Sequence, residues 1–108
     1  MTRPSYKQQG ERGSNIERRR AQRRPVSCRA RMRPAGLPPF DIDLVDLSAS
    51  GFRAETGLVL SPGARVWLTL PTFEAKEAVV AWRSTHRYGF AFAAPLHLAV
   101  LDHVVQRY

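Results

Sequence analysis

A cluster of arginines near the start of the chain is the strongest chemical feature of this sequence. Arg19 and Arg23 stand four positions apart, with Arg20 and Arg24 beside them. A guanidinium group is planar and permanently charged, so it pairs with a phosphate through two hydrogen bonds and can also contact the O6 and N7 atoms of guanine. Several such groups on one short arm could hold an anionic guanine nucleotide. Arginine-rich stretches also occur as solvated charge runs, and the spacing alone does not separate these interpretations.

A second group of polar and small residues, Asp46, Ser48 and Gly51, lies in the sequence DLSASG. A carboxylate such as that of Asp46 can accept both N–H groups on the Watson–Crick edge of guanine. The hydroxyl of Ser48 can donate to a phosphate or cap a turn, and Gly51 permits a positive φ or a close approach of the backbone to a ligand. The alternative is an ordinary turn between two strands, in which the polar side chains satisfy the backbone.

Charge is distributed unevenly along the 108 residues, a length that fits one small domain. Residues 1–33 contain 11 Lys and Arg and 2 acidic residues, a net charge of +9, whereas residues 34–108 contain 6 and 7, a net charge of −1. The basicity therefore belongs to an arm attached to a nearly neutral body. Such an arm favours a partner that carries phosphate, namely a nucleic acid, an anionic membrane or a nucleotide.

The strands that must position these residues are predicted by short apolar runs, which Gly and Pro residues separate. The predicted strands cover residues 26–33, 40–47, 52–56, 65–70, 74–83 and 88–93. In the second strand the apolar parity changes between Leu44 and Val45, which indicates a bulge or burial on both faces. In the fifth strand Ala78, Val80 and Trp82 fall on one face, and packing in a core or an interface is expected for the tryptophan.

Five to six short strands with regular turns indicate a small antiparallel barrel or sandwich. The clearest turn signal is the sequence SPG at residues 61–63. Beyond Pro95, apolar residues recur at helical spacing and predict an amphipathic helix over residues 96–107. This helix could cover one mouth of the barrel or form a dimer interface.

The two polar motifs, whose first residues lie 27 positions apart, together resemble those of the PilZ domain family. The first is RRAQR over residues 19–23, followed by RPV at the start of the first strand, and the second is DLSASG over residues 46–51. The SPG turn, the AWR sequence of residues 81–83 and the YGFAF sequence of residues 88–92 are also similar to the family. The resemblance covers residues 17–108.

The resemblance implies an all-β fold, a small six-stranded antiparallel β-barrel with a C-terminal α-helix and a flexible basic N-terminal arm. The expected organisation is a disordered tail over residues 1–16, a ligand-binding arm over 17–25, a barrel over 26–94 and a terminal helix over 95–108.

The resemblance also implies a ligand, the bacterial second messenger cyclic di-GMP. The expected site residues are Arg19, Arg20, Arg23, Asp46, Ser48 and Gly51. The arginines would contact guanine and phosphate from the arm, and the other residues would form the barrel side of the site. The arm would order over the ligand and signal to a protein effector. Since no output domain is evident in the sequence, we expect the signal to pass to another protein or through a homodimer.

Other chemistry finds little support in the sequence. The sequence contains no nucleophile elbow, HExxH sequence, Gly-rich phosphate loop or Cys/His cluster, so we do not expect an enzyme or a metal site. The three histidines, His86, His97 and His103, are expected to be solvated or partly packed. The single cysteine, Cys28, cannot form an internal disulfide. No stretch approaches the roughly 20 apolar residues of a membrane span, and no secretory signal is evident. We therefore expect a cytoplasmic protein without a cofactor.

The sequence also allows two other functions. A small barrel with a basic arm could bind nucleic acid, although this leaves the DLSASG motif without a role and the neutral body lacks a basic stripe with interleaved aromatic residues. The barrel could also act as a protein-interaction adaptor that needs no ligand.

Overall fold

The structure is a computed structural model that describes residues 22–108. Within this range, six antiparallel strands form a closed barrel and one helix follows them. The strands are β1 (Arg24–Pro34), β2 (Phe40–Leu47), β3 (Gly51–Glu55), β4 (Arg65–Thr69), β5 (Ala75–Ser84) and β6 (Arg87–Phe92), and the helix is α1 (Leu98–Arg107). The predicted fold class is thereby confirmed. The predicted disordered tail over residues 1–16 and the arm residues Arg19 and Arg20 lie outside the described residues.

The strand order around the barrel is β1-β2-β3-β6-β5-β4. Since β3 pairs with β6 and β4 pairs with β1 and β5, the segment 56–64 has to pass between strands that are not neighbours. Two features hold this segment in place. The predicted turn forms with Gly63 at φ 88°, a conformation that glycine adopts without steric cost, and the Ala64 N–H donates to Ser61 O at 3.0 Å. The hydroxyl of Tyr88 donates to Leu58 O at 2.8 Å and accepts from the Leu60 N–H at 3.0 Å.

The core fills the barrel with the apolar residues that alternate along the strands. Val66, Leu68 and Leu70 are fully buried, as the alternation in the fourth strand predicts. The aromatic residues of β6 are buried as well, and Phe90 stacks on Phe52 of β3 with the ring centroids 4.5 Å apart. This contact joins the strand after the DLSASG sequence to the centre of the barrel.

Two bulges decide which residues of β2 and β5 face outward. The pairing of β2 with β3 shifts between Leu44 and Asp46, which confirms the bulge predicted from the parity change. The pairing of β5 with β6 shifts between Val80 and Trp82. This second bulge makes the predicted face of Trp82 wrong, because one extra residue reverses the direction of every side chain that follows. Val80 is buried, whereas Trp82 is 36% exposed on the outside of the barrel.

The C-terminal helix packs on the barrel next to the start of β1. Its residues Leu101 and Val104 are buried in the core. Of the two roles considered for the helix, a cover on the barrel and a dimer interface, the structure shows the cover. The helix begins at Leu98, two residues later than predicted, because His97 caps it: its Nδ1 atom accepts from the Ala99 N–H at 3.1 Å. The helix is too short and too polar to cross a bilayer.

The start of β1 is irregular where it meets this helix. The register of β1 against β2 shifts between Pro25 and Cys28. Pro25 has no backbone N–H to donate to the neighbouring strand. The Ser27 N–H donates instead to the Tyr108 carbonyl at 3.0 Å. The beginning of the barrel and the end of the chain are therefore tied together by the backbone.

Replacing Tyr88 by Phe should lower the free energy of unfolding by about 1–3 kcal/mol, because the buried Leu60 N–H would lose its acceptor. Urea denaturation of the two proteins measures this difference. The matched control is Tyr108→Phe, which removes the same hydroxyl from a ring that is exposed, and a change below about 0.5 kcal/mol is expected there. Equal effects of the two substitutions would contradict the role assigned to Tyr88.

Candidate functional site

The pairing of β1 with β2 brings the end of the arm to the DLSASG motif. Because the two strands are antiparallel, Arg24 at the start of β1 pairs with Leu47 at the end of β2, and Pro25 pairs with Asp46. Arg23, which immediately precedes β1, therefore lies beside Asp46. Its Nη1 atom is 3.4 Å from Asp46 Oδ1, a long contact between two motifs that are distant in the sequence.

Asp46 has a second and closer partner, Arg53. The two residues pair directly across β2 and β3, and the Arg53 Nε–H donates to Asp46 Oδ2 at 2.5 Å while its Nη2 group also contacts this oxygen. The hydrogen bond to Asp46 raises the pKa of the Arg53 guanidinium above its ordinary value. The side chain of Asp46 is only 5% exposed, whereas those of Arg23 and Arg53 are 48% and 34% exposed. A buried carboxylate thus lies beneath two half-exposed cations.

Arg53 was not among the site residues predicted from the sequence. The signal that could have identified it is the hairpin register: once Leu47 and Phe52 face each other across the turn, the next pair outward is Asp46 and Arg53. An acidic and a basic residue directly opposite each other on one face of a hairpin stabilise that register.

Ser48 and Gly51 serve the turn between β2 and β3. The Ser48 Oγ atom is buried and accepts from the N–H groups of Ser50 and Gly51, at 3.3 and 3.1 Å, and the Ser48 N–H donates to Gly51 O at 2.8 Å. Of the two roles considered for this hydroxyl, the structure shows the turn cap.

Of the two roles considered for Gly51, the structure does not show a positive φ, since the described glycines with positive φ are Gly36 and Gly63. A Cβ atom at Gly51 would overlap the carbonyl oxygen of Phe90 on β6. The glycine is therefore required for the close approach of β3 to β6. The backbone at this position lies close to a neighbouring strand, whereas the close approach considered from the sequence was to a ligand.

The same row of cross-strand neighbours continues around the outside of the barrel. It runs through Pro25, Asp46, Arg53, Gly89 and Trp82 on five successive strands. The indole of Trp82 lies on Gly89, where any side chain would overlap it. A carboxylate, two guanidinium groups and an exposed aromatic ring thus share one strip of surface, and together they can bind a ligand that has both planar bases and negative charge.

The C-terminal segment borders this strip. Arg24 Nη1 donates to Asp102 Oδ1 of α1 at 2.6 Å, and the Leu96 N–H donates to Ala49 O in the turn of the DLSASG motif at 2.8 Å. The described residues contain no group of three or more His, Cys, Asp or Glu side chains placed to hold a metal ion.

Comparison with known protein families identifies the family of this chain. The model of the PilZ domain family matches residues 17–108, most of the chain. The chain belongs to the PilZ domain family. PilZ domains are known as cyclic di-GMP-binding domains. Among solved structures, the PilZ domain of CeSA from a cellulose-synthesising bacterium is similar to this chain, with a TM-score of 0.55 and 20% identity over 80% of this chain and 92% of that chain. At this identity the likeness concerns the fold. No curated protein matches the chain.

Replacing Arg53 by Met should lower the free energy of unfolding by about 2 kcal/mol. The reason is that Asp46 would stay buried with only its 3.4 Å contact to Arg23 as an ion pair. The matched control is Arg87→Met, since Arg87 of β6 pairs with Glu55 of β3, the strand that also carries Arg53, and both side chains are more than a third exposed. That pair should contribute less than about 1 kcal/mol. Chemical denaturation of both variants measures the difference. Equal destabilisation would show that the burial of Asp46 does not increase the contribution of its ion pair to stability.

Proposed function

We propose that this PilZ domain is a receptor for cyclic di-GMP, which binds on the outside of the barrel around Asp46. The observation that carries the proposal is the contact between Arg23 and Asp46, since it joins the arm and the DLSASG motif in one place. The family supports binding of this ligand in general. The residues and the mechanism that follow are the proposal for this chain.

The carboxylate of Asp46 is proposed to accept the two N–H groups on the Watson–Crick edge of one guanine. Each carboxylate oxygen has two acceptor positions, so Oδ2 can keep both of its contacts with Arg53 while Oδ1 accepts from the base. Oδ1 is held only by the 3.4 Å contact with Arg23, whose side chain is half exposed. The ligand therefore needs to displace only the weaker of the two arginines, and the displaced guanidinium is then free to pair with a phosphate.

The phosphates of the ligand are proposed to neutralise the arm. Arg23 would provide one guanidinium group, and Arg19 and Arg20, which lie outside the described residues, would provide others. Fixing the backbone of the arm before β1 over the ligand would cost roughly 1–2 kcal/mol per residue that becomes ordered, so charge-assisted hydrogen bonds have to offset that cost. The surface created by the ordered arm is then available to a protein effector or to a second copy of the chain.

Trp82 is proposed to extend the site beyond the two motifs. Its indole is exposed on the strip that begins at Asp46, with Gly89 and Arg53 between them. Stacking of a base on an aromatic side chain contributes about 1–3 kcal/mol, and this term does not depend on reading the edge of the base. The proposed role throughout is binding rather than catalysis, in the cytoplasm.

Calorimetric titration with cyclic di-GMP, with GTP and linear pGpG as controls, tests the proposal. We expect selective binding of the cyclic ligand and at least a tenfold loss of affinity, about 1.4 kcal/mol, for Arg23→Ala and for Asp46→Asn. Asparagine keeps the shape of the side chain but presents an NH₂ group where guanine needs an acceptor.

The matched control for this titration is Arg29→Ala, since Arg29 lies within β1 and its partner, Asp43, is exposed. It should bind as the unmodified protein does. Absence of heat and of a thermal shift at high ligand concentration would refute the receptor function. A steep loss of oligonucleotide affinity with salt would then favour the nucleic-acid-binding alternative.

A further inference from the structure

A second candidate binding surface lies on another side of the barrel, where β1 pairs with β4. A pocket of about 330 Å³ opens there between the arginines of β1 and the aromatic residue of β4. Arg31 pairs across the strands with Thr69, and Arg33 pairs with Trp67. These four side chains line the pocket together with Pro39 from the β1–β2 loop.

This pocket is separate from the proposed cyclic di-GMP site. Along β1, Arg31 is six residues beyond Pro25, which pairs with Asp46, so the two places are about 20 Å apart along the strand. The surface around Asp46 continues through β2 and β3, whereas the pocket continues through β4 in the opposite direction around the barrel. What the pocket binds therefore does not depend on the proposed function.

Within residues 22–108, neither arginine of the pocket forms an ion pair. Among the described residues, the ion pairs of the basic side chains involve neither Arg31 nor Arg33. The guanidinium of Arg33 lies 4.4 Å from the centroid of the Trp67 ring. Stacking on an indole holds the guanidinium plane in place while its N–H groups remain able to donate, and this prior ordering lowers the entropy lost on binding an anion.

The remainder of the lining is apolar and small. Pro39, Trp67 and Ala75 contribute carbon surface, whereas the side chain of Met32 is buried in the core. Leu37, in the same loop as Pro39, is exposed. A site that combines two exposed guanidinium groups with an apolar wall fits a segment that has carboxylates next to an apolar side chain.

We propose that the pocket between β1 and β4 binds an acidic peptide segment of a protein partner. Carboxylates of the segment pair with Arg31 and Arg33, and a neighbouring apolar side chain lies against Pro39 and Trp67. The partner class is defined by charge complementarity and by the mixed lining of the pocket.

The charges around the pocket argue against a nucleic acid as its ligand. Asp41 lies opposite Arg31 on β2, and Asp43 and Glu77 expose their carboxylates on the strands that flank the pocket. A polyphosphate backbone needs a continuous positive track and would meet these carboxylates, whereas a short acidic segment can end before it reaches them.

The basic N-terminal residues of the chain itself do not suit the pocket. Residues 1–21 contain 6 Lys and Arg and 2 acidic residues, a net charge of +4, so Arg31 and Arg33 would repel them. The expected occupant is therefore another protein.

Fluorescence anisotropy with the full chain and a labelled peptide of sequence DEFDE tests the proposal, and a peptide of sequence NQFNQ serves as the uncharged control. We expect saturable binding of the acidic peptide and about a tenfold weaker affinity for Arg31→Gln and for Arg33→Gln. The matched control is Arg29→Gln, which makes the same charge change on the same face of β1 but outside the pocket, and its affinity should change less than twofold.

A second measurement locates the peptide. The chain contains 2 tryptophans, so in the Trp82→Phe variant the fluorescence of Trp67 reports on the pocket alone, and the acidic peptide should change it. Lack of binding at millimolar peptide, or an equal loss for Arg29→Gln and Arg33→Gln, would overturn the proposal. So would stronger Arg33-dependent binding of oligothymidylate, or an Arg33-dependent dimer in sedimentation. Cyclic di-GMP affinity should be unchanged in Arg33→Gln, which separates failure here from failure of the receptor function.

Discussion

Burial of the Asp46 carboxylate is the constraint on which this side of the barrel depends. A carboxylate taken out of water is costly unless cations and hydrogen bonds accompany it. Here Arg53 supplies a hydrogen bond to one oxygen and Arg23 a longer contact to the other. The arrangement is possible only if β2 and β3 keep the register that places Asp46 opposite Arg53. Ser48 closes the turn that sets this register, and Gly51 lets β3 approach β6 closely enough to complete the sheet.

The residues of the DLSASG motif therefore have two different roles in this chain. Ser48 and Gly51 build the turn and the strand packing, and neither residue needs a ligand to explain its presence. Asp46 differs, because an apolar residue at this position would remove the need for both arginines around it. A buried charge that is retained at an outer surface, with one weakly held oxygen, is the feature that structural requirements explain least well.

Sequence patterns were informative where the cause of the structure is local. The bulge in β2 and the SPG turn were both predicted, because each depends on a few consecutive residues. The outward direction of Trp82 was not predicted, because the bulge before it does not interrupt the apolar alternation in the sequence. Arg53 was missed because its role arises from a cross-strand pairing. The helix began later than predicted because the imidazole of His97 acts as the cap.

The measurement that tests the central claim most directly is the carboxylate ¹³C chemical shift of Asp46, followed by NMR during titration with cyclic di-GMP and assigned with the Asp46→Asn variant. The account predicts that this signal moves with the ligand and saturates together with the calorimetric binding curve, because guanine N–H groups replace the contact with Arg23. A carboxylate signal that stays unchanged while the protein is saturated with ligand would show that cyclic di-GMP binds elsewhere, and that the Asp46 network is structural alone.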